Sequence, residues 1–398
     1  SAASDVYKRQ VYGLSFGDKV LCQLAERLES SFKECAFSRI DGDSFAVLQT
    51  YQQVSELELV CKQVSALLVE PFLIGGISQQ VSVTLGVSTY QQAKSISSQD
   101  RVEKIARRLV RQAELATLNA KQVGAPFLHF CKEMDDKVKK HNLLVEQLTQ
   151  AVKNDELDVH FQPIIDVQSN TVAKFESLVR WCNQGQWVSP AVFIPLAEES
   201  RVIIELGELV LRKTCQQIKY LEAQGYNQFV FNVNRSLFEF TEFNPHRNAW
   251  LEIITEQNVN PSQISFELTE SVLAPENTNH LEVLTQLKSA GCLISLDDFG
   301  TGYSSLSYLR RFPVDVLKLD KSFIDEIHTN SGDEALVKSI IQMSQVLGIK
   351  VVAEGVELQQ QLAVLKEAGC DFIQGYYFSK PLPGDEIQAF LTQLAREH

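Results

Sequence analysis

The chain has 398 residues, 44% hydrophobic and 22% charged, a composition that excludes disordered, collagen-like and coiled-coil proteins and predicts two or three globular domains. The formal net charge is −13, from 50 acidic and 37 basic residues, so long DNA or RNA is not an expected partner. No apolar run approaches the ~20 residues of a membrane span, and we expect no membrane contact from this segment.

The eight cysteines are scattered, and no two have the CxxC spacing. This pattern argues against a zinc site or redox pair and favours buried thiols in a reducing cytosol. Residues 1–10 (SAASDVYKRQ) contain neither a methionine nor a signal-peptide pattern, and we interpret them as a candidate non-native leader. We expect a cytoplasmic protein and leave open an inner-membrane anchor in a missing upstream part.

Residues 11–132 predict an α/β domain. Apolar periodicity indicates helices over 17–32, 55–70 and 102–122 and a strand over 80–90. Asp41-Gly42 lies between two short apolar strands and predicts a hairpin with a type I′ turn. A charged amphipathic helix over 135–157 is expected to join this domain to the next, and we assign residues 133–156 to the linker.

Residues 157–398 predict a second domain, in which short apolar strands alternate with helices. The strands are HFQPIID, AKFESLVRW, QFVFNVN, QISFELTE, CLISLDDFG, DVLKLD, KVVAEGV and CDFIQGYYF. Strands separated by intervening helices are typical of βα units around a parallel sheet, and this number of units favours a closed barrel.

Polar residues follow successive strands at corresponding positions: Glu176, Asn234, Glu267, Asp297, Lys318, Glu354 and Gln374. The C-terminal ends of parallel barrel strands share one face, so these side chains and Asp298 are expected to meet there. Carboxylates so close together repel unless cations neutralise them, and hard divalent ions prefer oxygen ligands. The pattern therefore predicts two metal ions, an arrangement suited to in-line attack on a phosphodiester.

Simpler interpretations exist for single residues. One acid at a strand end is usually a helix N-cap or a surface carboxylate. Polar residues at corresponding positions of several successive strands instead favour a functional site. Lys318 either pairs with a neighbouring acid or faces the mouth together with Asp320, where it would orient a water or a phosphate. Arg180 either clamps a phosphate or forms an ordinary surface ion pair, and the sequence leaves both open.

The chain over about 145–395 resembles the EAL domain family. The matching motifs are FESLVRW, FNVNRS, FELTES, DDFGTGYSSL, VDVLKLDKSF, VVAEGVE and QGYYFSKPLP. The resemblance implies a modified (β/α)8 TIM-like barrel and a cyclic-guanylate-specific phosphodiesterase. Such an enzyme opens cyclic di-GMP to linear pGpG with Mg²⁺ or Mn²⁺, two ions per active site, and motility and biofilm switching are its expected outputs.

The resemblance also implies roles for individual residues. The metal ligands would be Glu176, Asn234, Glu267, Asp297 and Asp298. Lys318 and Glu354 would hold the attacking water, and either could be the base; the substrate contacts would be Gln162, Arg180 and Gln374. Glu270 would anchor the loop at 297–306, which couples dimerisation to activity. We accordingly expect a homodimer. Ser177 replaces the family's alanine, for which a modest effect on rate is expected.

The first domain resembles a GGDEF, or diguanylate cyclase, domain that lacks its N-terminal part. The signature reads Asp41-Gly42-Asp43-Ser44-Phe45, with Asp41 in place of a glycine and Ser44 in place of an acid. We expect a degenerate remnant that is regulatory or dimerising, and a residual GTP site at Lys121 stays open. The alternative for the whole protein is a catalytically silent cyclic di-GMP receptor that signals through dimer geometry; the filled acidic positions favour the enzyme.

Overall fold

The structure is a computed structural model that describes residues 14–32, 35–93, 102–240, 249–273, 278–300, 309 and 311–397. The chain divides into two compact units, with the boundary between Asn142 and Leu143. Residues 1–10 lie outside the described part. Among the described helices, none combines the length and the apolar character that crossing a membrane would require.

The N-terminal unit is an α/β structure built from short strands. Its helices are α1 (Leu14–Ser31), α2 (Val54–Val69), α3 (Tyr90–Ala93) and α4 (Val102–Val123), and its strands are β1 (Ala36–Asp41), β2 (Ser44–Leu48), β3 (Phe72–Ile74), β4 (Ile77–Gln79), β5 (Leu85–Val87) and β6 (Phe127–His129). β1 with β2 and β3 with β4 form antiparallel pairs, and β5 runs parallel to β6. Leu24 and Leu28 of the predicted α1 stripe are buried against Val64, Leu68 and Phe72.

The predicted hairpin is present, but its turn differs from the prediction. Asp41 pairs with Ser44, so the turn residues are Gly42 and Asp43 rather than Asp41 and Gly42. Of these two, only Gly42 has a positive φ, of +46°, whereas a type I′ turn requires positive φ at both central residues. The predicted strand over 80–90 was also too long, since only β5 has strand structure there.

Glycine at position 86 lets α4 lie directly on β5. A Cβ atom at Gly86 would be 1.9 Å from the carbonyl oxygen of Ala113 and 2.4 Å from the amide nitrogen of Thr117. Both are backbone atoms of a helix, which cannot move aside without shifting the whole α4 element.

We expect Gly86→Ala to lower the free energy of unfolding of the N-terminal unit by at least ~1–3 kcal/mol, because overpacking against a backbone forces displacement. The matched control is Gly17→Ala in α1, where a Cβ would have no atom within 4 Å. Since glycine disfavours helix by ~0.5–1 kcal/mol relative to alanine, the control is expected to be neutral or stabilising. Urea unfolding of both variants measures the difference, and equal stabilities would contradict the packing described.

A helix, α5 (Lys132–Lys153), precedes the barrel strands of the second unit. It starts and ends slightly earlier than the predicted 135–157. Asp155, with φ of +59°, follows the helix, and the first barrel strand begins at Leu157. The buried side chain of Leu148 attaches the C-terminal half of α5 to the core of the second unit.

The second unit is a closed barrel, which confirms the predicted TIM-like fold. Its strands are β7 (Leu157–Asp166), β8 (Val172–Asn183), β10 (Val230–Asn234), β11 (Ile264–Thr269), β12 (Leu293–Phe299), β13 (Val316–Leu319), β14 (Lys350–Ala353) and β15 (Phe372–Ile373). They pair in the order β7-β15-β14-β13-β12-β11-β10-β8, and β8 pairs with β7 to close the ring. The short strands β9 (Gln186–Val188) and β16 (Leu382–Pro383) add to β8 and β7.

Helices connect and surround these strands. They are α6 (Pro190–Glu199), α7 (Ile203–Ala223), α8 (Ala249–Glu256), α9 (Thr278–Ser289), α10 (Lys321–Ile324), α11 (Ser331–Leu347), α12 (Gln359–Glu367) and α13 (Ile387–Glu397). The outward faces of the strands form the large core under the helices; Phe175 and Phe231, for example, stack with ring centroids 5.4 Å apart.

The prediction of βα units around a parallel sheet does not hold at β7, which is antiparallel to both β8 and β15. The connection from β7 to β8 covers only residues 167–171, too short for the crossover that parallel neighbours need. The Asp166 carboxylate accepts hydrogen bonds from the backbone N–H groups of Gln168 and Ser169 at 3.0 and 2.8 Å, which stabilises a tight turn. The reversed strand brings Gln162 into register with Glu176.

The inward faces of the strands form two layers of side chains. The upper layer, at the mouth, contains Gln162, Glu176, Asn234, Glu267, Asp297, Lys318, Glu354 and Gln374. The lower layer, two residues earlier on the parallel strands, contains Ile164, Lys174, Asn232, Ser265, Ser295, Val316, Val352 and Phe372. The alternation of strand side chains therefore places every predicted strand-end residue on one side of the ring.

Candidate active site

The ammonium group of Lys318 lies at the centre of the barrel mouth among four carboxylates. Its Nζ atom is 2.6 Å from Glu354 Oε1, 2.9 Å from Glu267 Oε1, 3.2 Å from Asp297 Oδ1 and 3.6 Å from Glu176 Oε2. Only 1% of the lysine side chain is exposed. The predicted site residues on β8, β11, β12, β13 and the end of β14 are thus brought together.

Burial and charge act in opposite directions on these groups. Burial alone would lower the pKa of Lys318, but the surrounding carboxylates outweigh it and raise that pKa well above its usual value. Burial raises the pKa of Glu354 to about 8, with the opposing charge of Lys318 only partly offsetting it. Burial also raises the pKa of Glu267 well above the usual range, and the charges of Glu176 and Asp297 add to the effect. One lysine therefore does not neutralise the acids around it.

Two amide side chains hold Glu176. Gln374 Nε2 donates to Glu176 Oε2 at 2.6 Å and to Gln162 Oε1 at 3.1 Å, and Asn234 Nδ2 donates to Glu176 Oε1 at 2.9 Å. Burial would raise the pKa of Glu176, but Lys318 and these hydrogen bonds outweigh it and lower that pKa. Glu176 is consequently kept as an oriented carboxylate.

Sequence reasoning missed Asn232, which lies in the lower layer. The side chain is fully buried, and its Nδ2 donates to Glu267 Oε1 at 2.7 Å. Asn232 precedes Asn234 by two residues and so shares its face of β10, the signal that could have identified it. Lys174 in the same layer was also missed; burial lowers its pKa to about 8, and its Nζ lies 4.8 Å from the centre of the Phe372 ring.

Two predicted acids do not join the contacts of Lys318. Asp320, which the sequence pairs with Lys318, is the N-cap of α10, and its carboxylate accepts a hydrogen bond from the Ser322 amide at 3.0 Å. Asp298 adopts φ of +54° and lies on the exposed side of β12. Burial and the charge of Asp297 raise the pKa of Asp298.

Arg180 and Glu270 lie beside the mouth. Arg180 is half-buried, its Nη1 donates to the carbonyl of Val179 at 2.9 Å, and no carboxylate in the described ranges forms an ion pair with it. This argues against the surface ion-pair interpretation. Glu270 Oε2 accepts a hydrogen bond from the amide of Gly300 at 3.4 Å, at the start of the loop that it was predicted to anchor. Residues 301–308, including Gly302 of that loop, lie outside the described residues.

The serine that departs from the family pattern has a polar partner. Ser177 Oγ lies 3.1 Å from Thr214 Oγ1 of α7, and both side chains are buried. Thr214 in turn donates to the carbonyl of Val210 at 2.8 Å. The additional hydroxyl is therefore accommodated on the side of β8 that faces α7, away from the mouth.

The donor atoms at the mouth suit a hard divalent cation, although they are not arranged around one. Glu267 Oε2 is a buried oxygen without a hydrogen-bond partner, and buried Asp297 Oδ1 has only its ion-pair contact with Lys318. Within the part of the chain that the structure describes, no three acid, histidine or cysteine side chains are grouped as a metal site. The four carboxylates instead surround the Nζ atom of Lys318. The residues fit the ion in chemical type, and binding would exchange contacts with Lys318 for contacts with the ion.

A cavity of about 290 Å³ opens above these groups. It is lined by Gln162, Glu176, Leu178, Asp297, Lys318, Lys321, Glu354, Gly355, Glu357, Gln374, Gly375 and Tyr376. Six of the predicted site residues on the upper layer, including Gln162, therefore face a space that a small ligand can enter.

The raised pKa of Glu354 predicts a pH-dependent penalty on folding. Between the ordinary value of 4.5 and about 8, the folded protein keeps a proton that the unfolded chain releases, so stability falls as pH rises through this window. Glu354→Gln removes this group, and we expect the variant to gain stability relative to the wild type from pH 5 to pH 8. Urea unfolding in metal-free buffer measures this difference in stability between the variant and the wild type. The control is Glu252→Gln, at an exposed position on α8. A constant difference across this range would contradict the assignment.

Comparisons with known proteins agree with this geometry. Residues 145–381 match the family model described as EAL domain, and residues 7–125 match the one described as diguanylate cyclase, GGDEF domain. The second match begins within the candidate leader. Cyclic di-GMP phosphodiesterase NbdA of Pseudomonas aeruginosa is 34% identical over 95% of this chain and 48% of its own length. Cyclic di-GMP phosphodiesterase PdeR of Escherichia coli is 34% identical over 94% of this chain and 55% of its own length.

Solved structures show the same fold. A structure described as PaMucR phosphodiesterase in complex with c-di-GMP superposes with a TM-score of 0.58 and 34% identity over 62% of this chain and 99% of that one. The EAL enzyme Bd1971, bound to cAMP and cyclic di-GMP, gives a TM-score of 0.59 and 30% identity over 74% and 77% of the two chains. The chain spans about half the length of the two curated relatives. Since the EAL model matches more than half of its residues, the chain belongs to the EAL domain family.

Proposed function

We propose that the C-terminal unit hydrolyses cyclic di-GMP to linear pGpG with Mg²⁺ or Mn²⁺. The observation that supports it best is the convergence of four carboxylates on Lys318 at the bottom of an open cavity. So many buried acids around one cation are unfavourable in a site with a purely structural role, because their charges are incompletely neutralised. A divalent cation removes this imbalance.

The ligands in this proposal are Glu176, Asn234, Glu267, Asp297 and Asp298, which would hold two ions. When bound, the ions would lower the pKa of a water molecule and neutralise charge on the phosphodiester. The chain itself orients the ligands: Gln374 and Asn234 fix both oxygens of Glu176, and Asn232 fixes Glu267. Groups that orient metal ligands in this way raise affinity by restricting the ligand to one rotamer.

Lys318 and Glu354 have different parts in the proposed reaction. Lys318 is almost fully buried, and its raised pKa keeps it protonated, so it can donate hydrogen bonds and orient oxygen atoms but cannot accept a proton. Glu354 is more exposed and lines the cavity, where its deprotonated form can take a proton from the attacking water. We therefore propose Glu354 as the base and Lys318 as its positioning partner.

Gln162, Gln374 and Arg180 are proposed to contact the substrate. The two glutamines line the cavity beside Glu176, and Gln374 Oε1 is buried without a hydrogen-bond partner. Glu270 is proposed as the anchor of the loop that follows Gly300, where φ of +98° requires glycine. A Cβ atom at Gly300 would also lie 2.8 Å from the Phe323 ring, so the start of this loop is tightly packed.

The N-terminal unit is proposed to be regulatory or dimerising, within a cytoplasmic homodimer. Its signature hairpin carries Ser44 at the start of β2, at a position where the family has an acid that assists metal-dependent attack. Residues 11–132 and 157–398 remain the proposed domains, with 133–156 between them.

We expect Glu176→Gln to lower turnover of cyclic di-GMP by more than ~100-fold, since altering a group that merely orients a metal ligand already costs ~10–100-fold. Turnover is measured with Mn²⁺ or Mg²⁺ and with EDTA, and the product is identified chromatographically as pGpG. The control Glu252→Gln makes the same chemical change at an exposed position on α8 and should retain wild-type turnover.

Unaltered turnover in Glu176→Gln would show that the ligand assignment is wrong. Hydrolysis that continues in EDTA would exclude the metal dependence. Binding of cyclic di-GMP without any turnover by the wild type would instead support the silent receptor.

A further inference from the structure

The cavity at the barrel mouth is small for a ligand that consists of two nucleotides. Its volume of about 290 Å³ lies just below the ~300–1,000 Å³ typical of pockets for drug-sized ligands. If the phosphodiester to be cleaved lies near Lys318 and Glu354, the other half of a cyclic dinucleotide must extend over the rim. That half carries a second phosphate, whose charge needs a partner.

Lys321 is placed to be that partner. Among the residues that line the cavity, the basic side chains are Lys318 and Lys321, and Lys318 is fully engaged with carboxylates. Lys321 follows β13 at the first position of α10, and 48% of its side chain is exposed. Its Nζ is 2.6 Å from Glu357 Oε1 and 3.8 Å from Asp325 Oδ1.

Lys321 is held at the rim of the cavity by contacts of its aliphatic stem as well as by its ion pairs. Gly355 has φ of +71°, and a Cβ atom there would lie 2.4 Å from Lys321 Cγ. The lysine stem therefore lies directly on the backbone that follows Glu354. A larger residue at 355 would displace it from the rim.

A buried glutamine joins the two segments that carry Lys321 and Glu357. Gln361 Oε1 accepts hydrogen bonds from the amides of Glu357 and Leu358 at 2.8 and 2.9 Å. Its Nε2 donates to the carbonyls of Ile324 and Asp325 at 3.1 and 3.2 Å. The distance between α10 and the 354–358 segment is thus set by one side chain, which preorganises the ion pair.

We propose that Lys321 forms a second anion subsite, which binds the phosphate of the dinucleotide that is not cleaved. An ammonium group has three N–H donors, and the contact with Glu357 uses one of them, so donors remain for phosphate oxygens. Glu357 positions the cation and limits its attraction for unrelated anions. The inference rests on the proposed function and adds a residue that selects ligands with two phosphates over ligands with one.

The test compares Lys321→Met and Lys321→Arg with Lys338→Met. Methionine keeps the stem over Gly355 and removes the charge. Lys338 is a matched control, because its Nζ forms a similar ion pair with Glu334 at 2.7 Å on α11 and it does not line the cavity. The measurements are kcat and KM with Mn²⁺ for cyclic di-GMP and for bis(p-nitrophenyl) phosphate, which has one phosphate, and calorimetric Kd for cyclic di-GMP in EDTA.

For Lys321→Met we expect KM and Kd for cyclic di-GMP to rise ~3–10-fold with kcat nearly unchanged, the pattern of a lost contact that is equal in ground and transition states. The KM for bis(p-nitrophenyl) phosphate should not change. Lys321→Arg should recover most of the affinity, and Lys338→Met should match the wild type.

The outcomes separate this inference from the proposed function. If the wild type hydrolyses cyclic di-GMP and Lys321→Met has wild-type KM and Kd, the subsite is wrong and the function stands. If KM rises equally for both substrates, Lys321 supports the structure of the barrel mouth, and the proposed anion subsite is also wrong. If the wild type binds without hydrolysis, the proposed function fails, and the ratio of Kd values still decides the subsite. A wild type that binds nothing overturns both.

Discussion

The C-terminal unit depends on one electrostatic arrangement, the ammonium of Lys318 enclosed by Glu176, Glu267, Asp297 and Glu354. Four potential negative charges around one buried positive charge are incompletely neutralised. Burial, together with the charges of the neighbouring acids, raises the pKa values of Glu267 and Glu354. Such a cluster is costly to fold, and this cost is the physical basis of the proposed role in ligand or metal binding.

The barrel separates support from chemistry by the alternation of its strands. Outward side chains such as Phe175 and Phe231 are packed under the helices, and inward side chains form two layers. The lower layer holds the upper one in place: Asn232 donates to Glu267, and Ser265 and Ser295 bond to each other at 2.8 Å. Polar groups in this interior are therefore mostly fixed by neighbours within the ring, which gives the mouth a rigid base.

Much of the site was predictable because strand alternation and strand order are local properties. Glu176, Glu267 and Lys318 each follow an apolar run at the same position, so a closed ring had to place them together. Asp320 shows the limit of this reasoning. Alternation alone does not show that the strand ends at Leu319 or that the Asp320 carboxylate caps the next helix. Where a strand stops depends on pairing with its neighbours, which the sequence of one segment does not contain.

The sequence by itself determined the composition of the two units, the barrel class, and the oxygen-rich set of residues at the strand ends. These follow from hydrophobic periodicity, which is set residue by residue. Only the tertiary structure decided that Lys318 occupies the centre of the acids, that β7 runs against its neighbours, and that Gln361 joins the two rim segments. Each of these depends on distances between residues far apart in the chain, and such distances are fixed only when the ring closes.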